Sequence, residues 1–220
     1  MTQISFIWDL DGTLINSYEV IVSSLISVLA EYNIYLEEAY VKQQVTETSV
    51  GSFIHDISQI HNLPTKQIEH SATKLNDTNY LHIKPIKNAI ETLDTLAGLN
   101  ISHYIYTHKG KSTYPILENL HMTHYFKEII TALDNYERKP SPDAVDYLVK
   151  KYNLDRNFTY FVGDRKLDIE CANNANINSI LFLPEDSFIK PTGKEDYIVT
   201  DLFEIVDIIK NVSRETLNDK

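Results

Sequence analysis

Residues 4–14 read ISFIWDLDGTL, an apolar run that stops abruptly at Asp9 and then turns at Gly12. A short, nearly continuous apolar run closed by acidic residues and glycine is the pattern of a strand buried on both faces of a parallel sheet. The pattern recurs at 101–106 (ISHYIY), 128–131 (EIIT), 158–162 (FTYFV) and 178–183 (NSILFL). Helical patterns lie between these runs. Ile86, Ala89, Ile90, Leu93 and Leu96 keep a helical spacing, with Gly98 as the expected C-cap. Ser141-Pro142-Asp143 opens another helix, with a capping hydroxyl, proline at the first position and the stripe Val145, Leu148, Val149 and Tyr152. Strand–helix alternation on this scale predicts an α/β fold, a doubly wound parallel sheet with helices on both faces.

One stretch interrupts the alternation. From Asn16 to Ile83 there are helix signals and no convincing strand. Tyr18, Val22, Leu25, Leu29 and Tyr32 form one stripe, a second helix is expected over 50–61, and a third after Pro64. The expected organisation is a Rossmann-like core made of residues 1–15 and 84–220, carrying an all-helical insertion at 16–83. The chain has 220 residues, 43% of them hydrophobic, and a formal net charge of −11. That acidity argues against a nucleic-acid or anionic-membrane surface, where clustered positive charge is the footprint. The single cysteine, Cys171, excludes an internal disulfide and a multi-cysteine metal site. No apolar run approaches the ~18 residues of a membrane span, and the first residues lack the basic and apolar regions of a signal peptide. A soluble, cytoplasmic protein, monomeric or weakly dimeric, is expected.

In open parallel sheets ligands bind beyond the carboxyl ends of the strands. After the first run comes Asp9-Leu10-Asp11-Gly12-Thr13, after the second Thr107-His108-Lys109-Gly110, shortly after the third Arg138-Lys139-Pro140, and at the end of the fourth Gly163-Asp164 through Asp168. Asp9 and Asp11 are two apart and would share a face of an extended strand. Gly12 lets the backbone turn and approach a ligand. Two carboxylates at one point hold together best around a hard cation, and an oxygen-only set with Asp164 suits octahedral Mg²⁺ better than zinc. An EF-hand register fails: with Gly12 at loop position 6, positions 1 and 12 fall on Ile7 and Tyr18. A carboxylate beside Mg²⁺ can attack phosphorus and form an aspartyl-phosphate, while a second carboxylate moves the proton of the leaving group. Thr107 can donate to a phosphoryl oxygen, and Lys139 can place positive charge against the transition state. His108 is a candidate for the phosphate-binding set. Cys171 and Ala172 read as small helix residues packed on the sheet.

These residues resemble the motifs of the haloacid dehalogenase superfamily. Trp8-Asp9-Leu10-Asp11-Gly12-Thr13-Leu14 is similar to its first motif, Thr107 to its second, Lys139 to its third, and Gly163-Asp164 through Asp168 to its fourth. The helical insertion after the first motif resembles the cap of the phosphoglycolate phosphatase and β-phosphoglucomutase branch. The resemblance implies a Rossmann-like core with a helical cap, Asp9 as nucleophile and Asp11 as general acid/base. It further implies Mg²⁺ held by Asp9, Asp164 and the Asp11 backbone carbonyl, with Asp168 in the outer metal shell or orienting Lys139. Family dehalogenases lack the aspartate at the Asp11 position, so a phosphate ester is favoured.

A Mg²⁺-dependent phosphatase of a small phosphorylated metabolite, phosphoglycolate-like or a sugar phosphate, is therefore the expected function. A phosphomutase is the alternative among enzymes, but it must hold a bisphosphate intermediate. Residues 16–83 carry Lys42, Lys66 and Lys74 against Glu19, Glu31, Glu37, Glu38, Glu47, Asp56, Glu69 and Asp77. Thr46–Phe53 (TETSVGSF), the segment expected to reach the substrate, offers hydroxyls and a glycine hinge without a cation. A phospho-accepting signalling receiver uses similar strand-end residues, but it lacks an insertion after the first strand.

Overall fold

The computed structural model describes residues 3–218. In chain order the elements are β1 (Ser5–Trp8), β2 (Ile15–Asn16), α1 (Tyr18–Ala30), α2 (Glu38–Glu47), α3 (Val50–His61), α4 (Thr65–Thr78), β3 (Lys84–Pro85), α5 (Ala89–Gly98), β4 (Ser102–Tyr106), α6 (Thr113–Asn119), β5 (Phe126–Ile130), α7 (Asp143–Tyr152), β6 (Thr159–Gly163), α8 (Lys166–Asn174), β7 (Asn178–Phe182), β8 (Tyr197–Val199) and α9 (Glu204–Asn218). They form two compact units, one from the residues up to Ile15 and from Pro85 onward, the other Asn16–Lys84.

The first unit is built on a six-stranded sheet of order β5-β4-β1-β6-β7-β8, parallel throughout. Counting only its own strands along the chain, the order is 3-2-1-4-5-6, which reverses direction beside β1. That reversal is the switch point where doubly wound folds open a crevice beyond the strand ends. Side chains alternate across the sheet. On one face Ile7, Tyr104, Tyr106 and Phe161 join Ala144, Val145 and Leu148 of α7 and Cys171 and Ala172 of α8 in one buried cluster. On the other, Phe6 stacks between Trp8 at 5.2 Å and Tyr160 at 5.3 Å. Both faces are covered, which is why these strands read as unbroken apolar runs.

The second unit has its own core. Val22, Leu25 and Leu29 of α1 meet Val41 and Val45 of α2, Phe53, Ile54 and Ile57 of α3, and Ile68 and Ala72 of α4. The helix α2 is absent from the sequence reading, because EAYVKQQVTE buries only Val41, Val45 and Thr46 and its apolar stripe is too thin to register. The Thr46–Phe53 segment is also corrected: it closes α2 and opens α3, and Gly51 is helical rather than a hinge. Ser49 caps α3, its hydroxyl accepting from the Ser52 N–H at 3.0 Å.

Boundaries in the first unit shift for local reasons. Helix α5 begins at Ala89, not Ile86, because the Ile86 N–H is spent on the Leu14 carbonyl (2.9 Å) and Asn88 sits left-handed at φ 63°. Gly98 is the last helical residue, and the left-handed turn falls on Asn100 (φ 60°). Helix α7 begins at Asp143 with Pro142 as its N-cap, one residue later than expected. The short strands β2, β3 and β8 carry too few residues for a periodic signal. No helix among the described residues is long and apolar enough to cross a membrane.

Candidate active site

Asp9 leaves the end of β1 with its backbone still in register: its N–H donates to the Val162 carbonyl of β6 at 2.8 Å. The side chain is therefore fixed by sheet pairing at the switch point, and it is 1% exposed. Gly12 turns at φ 82°, and its N–H donates to the Ile15 carbonyl at 2.9 Å. The following N–H groups fold back on Leu10, so the Asp9–Ile15 segment is a tight loop that only a residue without Cβ strain closes.

Three carboxylates meet there. Asp9, Asp164 and Asp168 are all buried and offer oxygens within 4.8 Å of one another, a cluster that can hold a metal ion. Lys139 lies against two of them, its Nζ 2.8 Å from Asp9 Oδ1 and 2.7 Å from Asp168 Oδ1. Its ammonium also donates to the Tyr106 carbonyl at 3.3 Å and stands over the Tyr106 and Phe161 rings. Burial pulls the Lys139 ammonium toward neutrality, but Asp168 and Asp9 outweigh it and hold the pKa above the ordinary lysine value. Burial raises the Asp9 carboxyl, although Lys139 draws it down. Asp9 Oδ2 is buried and has no hydrogen-bond partner among the described residues. An orphaned carboxylate oxygen inside an all-oxygen cluster is the donor set a hard divalent cation takes, so the residues fit Mg²⁺.

Asp168 opens α8. Its Oδ2 accepts from the Arg165 N–H at 3.1 Å in a capping arrangement, and its Oδ1 takes Lys139. Gly163 makes that approach possible: a Cβ at this position would stand 2.3 Å from Asp168 Cβ and 2.5 Å from its Oδ2. Thr13 donates to Asp164 Oδ1 at 3.2 Å, tying the first loop to the fourth strand end.

The second strand end is also ordered. Thr107 continues the pairing of β4, its N–H donating to the Ile130 carbonyl at 2.9 Å. Its Oγ1 accepts from the Lys109 N–H at 3.0 Å, which leaves the hydroxyl proton for donation. His108 Nε2 accepts from the Lys139 N–H at 3.0 Å. Burial, then Lys139 and Arg138, push its imidazole down to about 3, so it is a neutral acceptor that fastens the Lys139 loop.

The structure thus brings Asp9, Asp164, Asp168 and Lys139 together. The Asp11 carboxylate lies outside the cluster and is ion-paired with Lys109, whose Nζ is 2.9 Å from Asp11 Oδ1. Lys109, Thr13 and Gly163 carry no assigned task in the sequence reading. A lysine two residues after a strand-end threonine is indistinguishable there from a solvated loop charge, and only burial of its side chain, 5% exposed, reveals the pairing.

Comparisons with known proteins show what the chain is similar to. Pyrophosphatase PpaX of Oceanobacillus iheyensis is 27% identical over 210 residues, covering 93% of this chain and 96% of the relative. Pyrophosphatase PpaX of Bacillus mycoides is 25% identical, covering 94% and 97%. The crystal structure of a predicted phosphoglycolate phosphatase from Haemophilus somnus shares the fold with a TM-score of 0.84 at 23% identity, covering 95% of this chain and 99% of that one. A haloacid dehalogenase superfamily hydrolase from Geobacter sulfurreducens does so with a TM-score of 0.72 at 17% identity, covering 94% and 100%. The haloacid dehalogenase-like hydrolase family matches residues 6–182. That match runs from inside β1 to the end of β7 and takes in the whole acidic cluster and both buried lysines, and the chain belongs to the haloacid dehalogenase-like hydrolase family.

Proposed function

We propose that the protein is a Mg²⁺-dependent phosphatase that hydrolyses a small phosphorylated metabolite through a phosphoaspartate on Asp9. The observation that carries this reading is the Asp9 carboxylate, which is buried at the sheet's switch point, held on one oxygen by Lys139 and orphaned on the other. Asp9 and Asp164, with the Asp11 backbone carbonyl, would hold the Mg²⁺, which when bound shields an anionic nucleophile from an anionic substrate. An Asp9 oxygen attacks phosphorus as the bond to the leaving oxygen breaks. Asp11 gives that oxygen a proton, then takes one from the water that attacks the phosphoaspartate, and inorganic phosphate leaves. Lys139, oriented by Asp168, sets its charge against the developing phosphoryl charge, and the Thr107 hydroxyl donates to a phosphoryl oxygen. The helical unit Asn16–Lys84 serves as the cap.

The name of the relatives supports a second reading of the substrate. Proteins named pyrophosphatase match over more than nine-tenths of both chains, so the leaving group can itself be a phosphate. A phosphate-release screen with Mg²⁺ over phosphoglycolate, sugar phosphates and inorganic pyrophosphate decides between them. Phosphate release that is lost in excess chelator and in Asp9→Asn is expected. Undiminished release in chelator would overturn the metal assignment. Conversion of β-glucose 1-phosphate, primed with the 1,6-bisphosphate, to glucose 6-phosphate without free phosphate, followed by phosphorus NMR, would make the enzyme a mutase.

A further inference from the structure

Lys109 is a buried cation that pairs with Asp11, a carboxylate outside the acidic cluster. Its backbone is fixed on both sides: the N–H donates to Thr107 Oγ1 at 3.0 Å, and the carbonyl accepts from the Ala132 N–H at 3.0 Å. From that rigid loop the side chain, 5% exposed, reaches 2.9 Å to Asp11 Oδ1, whose side chain is 21% exposed. A lysine buried to this degree needs a charged partner, and with one end of the pair buried it is restrained more than a surface pair is. Asp11 itself follows a strand end and precedes a left-handed glycine, so its backbone is as fixed as that of Lys109.

We propose that Lys109 is a positioning residue: it clamps Asp11 Oδ1 so that the other carboxyl oxygen carries the proton to the leaving group. The inference rests on the role given to Asp11 above. As the P–O bond breaks, its electron pair stays on the leaving oxygen, the Asp11 carboxyl proton moves to that oxygen, and Asp11 is left as the carboxylate. Lys109 keeps its own proton throughout. Misplacing an acid by about 1 Å costs on the order of 100-fold, within the 10²–10⁴-fold that general acid catalysis supplies. Lys109 therefore matters most where the leaving oxygen most needs a proton.

Phenyl phosphate and p-nitrophenyl phosphate are similar in shape and differ in the basicity of the leaving oxygen. Their kcat/KM values report the attack of Asp9 on phosphorus and the departure of the leaving group, before hydrolysis of the phosphoaspartate. Lys109→Met is expected to lower kcat/KM for phenyl phosphate roughly 10- to 100-fold and for p-nitrophenyl phosphate by only a few-fold, with Lys109→Arg recovering part of the difference. In an Asp11→Asn background Lys109→Met is expected to add no further loss on phenyl phosphate. Equal losses on both esters, no loss on either, or full additivity with Asp11→Asn would overturn the proposal, because a phosphate-binding or purely structural lysine acts on both esters alike. If Lys109→Met does not fold, Lys109→Gln carries the same comparison. Failure of the underlying reading shows separately, as wild-type enzyme that hydrolyses neither ester or as Asp9→Asn that hydrolyses both.

Discussion

Lys139 holds two buried carboxylates at once, so its removal acts on folding and on chemistry together. Lys139→Ala leaves Asp9 and Asp168 facing each other without their shared cation, and breaking a buried pair costs about 3–5 kcal/mol. Denaturant unfolding should show that loss, while turnover falls by orders of magnitude; a change confined to KM would reduce Lys139 to a binding residue. Gly163 is tested at the same scale. In Gly163→Ala the new methyl meets Asp168 Cβ at 2.3 Å, so the carboxylate must leave Lys139. The expected cost is about 1–3 kcal/mol with a steep fall in kcat, and wild-type stability in this variant would show that α8 can retreat. Asp9 and Asp164 were legible in the sequence because each follows directly on an apolar run, and Lys139 and Asp168 because they come shortly after one. Gly163 and Lys109 were not, since their tasks depend on distances across the sheet that no local pattern encodes.

Helix ends show what local pattern does encode, and where it misleads. The chain has six glycines, and its left-handed turns fall mainly on asparagine: Asn33, Asn62, Asn88, Asn100, Asn135, Asn153 and Asn176 all have positive φ. Asparagine tolerates this region better than other side chains bearing Cβ, so it takes over the C-cap task usually read from glycine. In α5 the glycine signal points to Gly98, two residues before the left-handed turn at Asn100. Asn153 closes α7 at φ 51°. Asn153→Ala should destabilise the protein by about 1 kcal/mol in chemical denaturation, while Asn153→Gly should stay within a few tenths. An alanine variant as stable as the glycine one would mean that the turn relaxes out of the left-handed region. The strands β1, β4, β5, β6 and β7 were read to within two residues because they are short, nearly continuous apolar runs, while β2, β3 and β8 were not read at all. The helix α2 was lost because an amphipathic helix shows its period through three or four apolar positions in every two turns, and this one offers only Val41 and Val45 as buried apolar residues.

Acid stability belongs to the whole molecule. Buried His103 has its imidazole pushed down from 6.5 to about 4, by burial first and then by Lys127. Between those values the unfolded chain binds the proton and the folded chain does not, so stability falls as pH drops from about 6.5 toward 4 and levels off below. The loss from His103 is roughly 3 kcal/mol. His108 acts in the same direction. Between pH 7 and pH 4 the stability of wild type should therefore fall by roughly 3 kcal/mol relative to His103→Gln, read from denaturation midpoints; parallel curves would place the acid sensitivity elsewhere. The partner of His103 offers a different kind of access to the molecule. Trp8 is the single tryptophan, fully buried, one residue before Asp9 and hydrogen-bonded through Nε1 to His103 Nδ1 at 3.1 Å. Its emission is an intrinsic beacon for the sheet-bearing unit alone, since Asn16–Lys84 holds no tryptophan. Far-ultraviolet dichroism reports helices in both units. Following the two signals through one denaturation resolves, without any label, whether the sheet and the inserted helices melt as one cooperative body or as two.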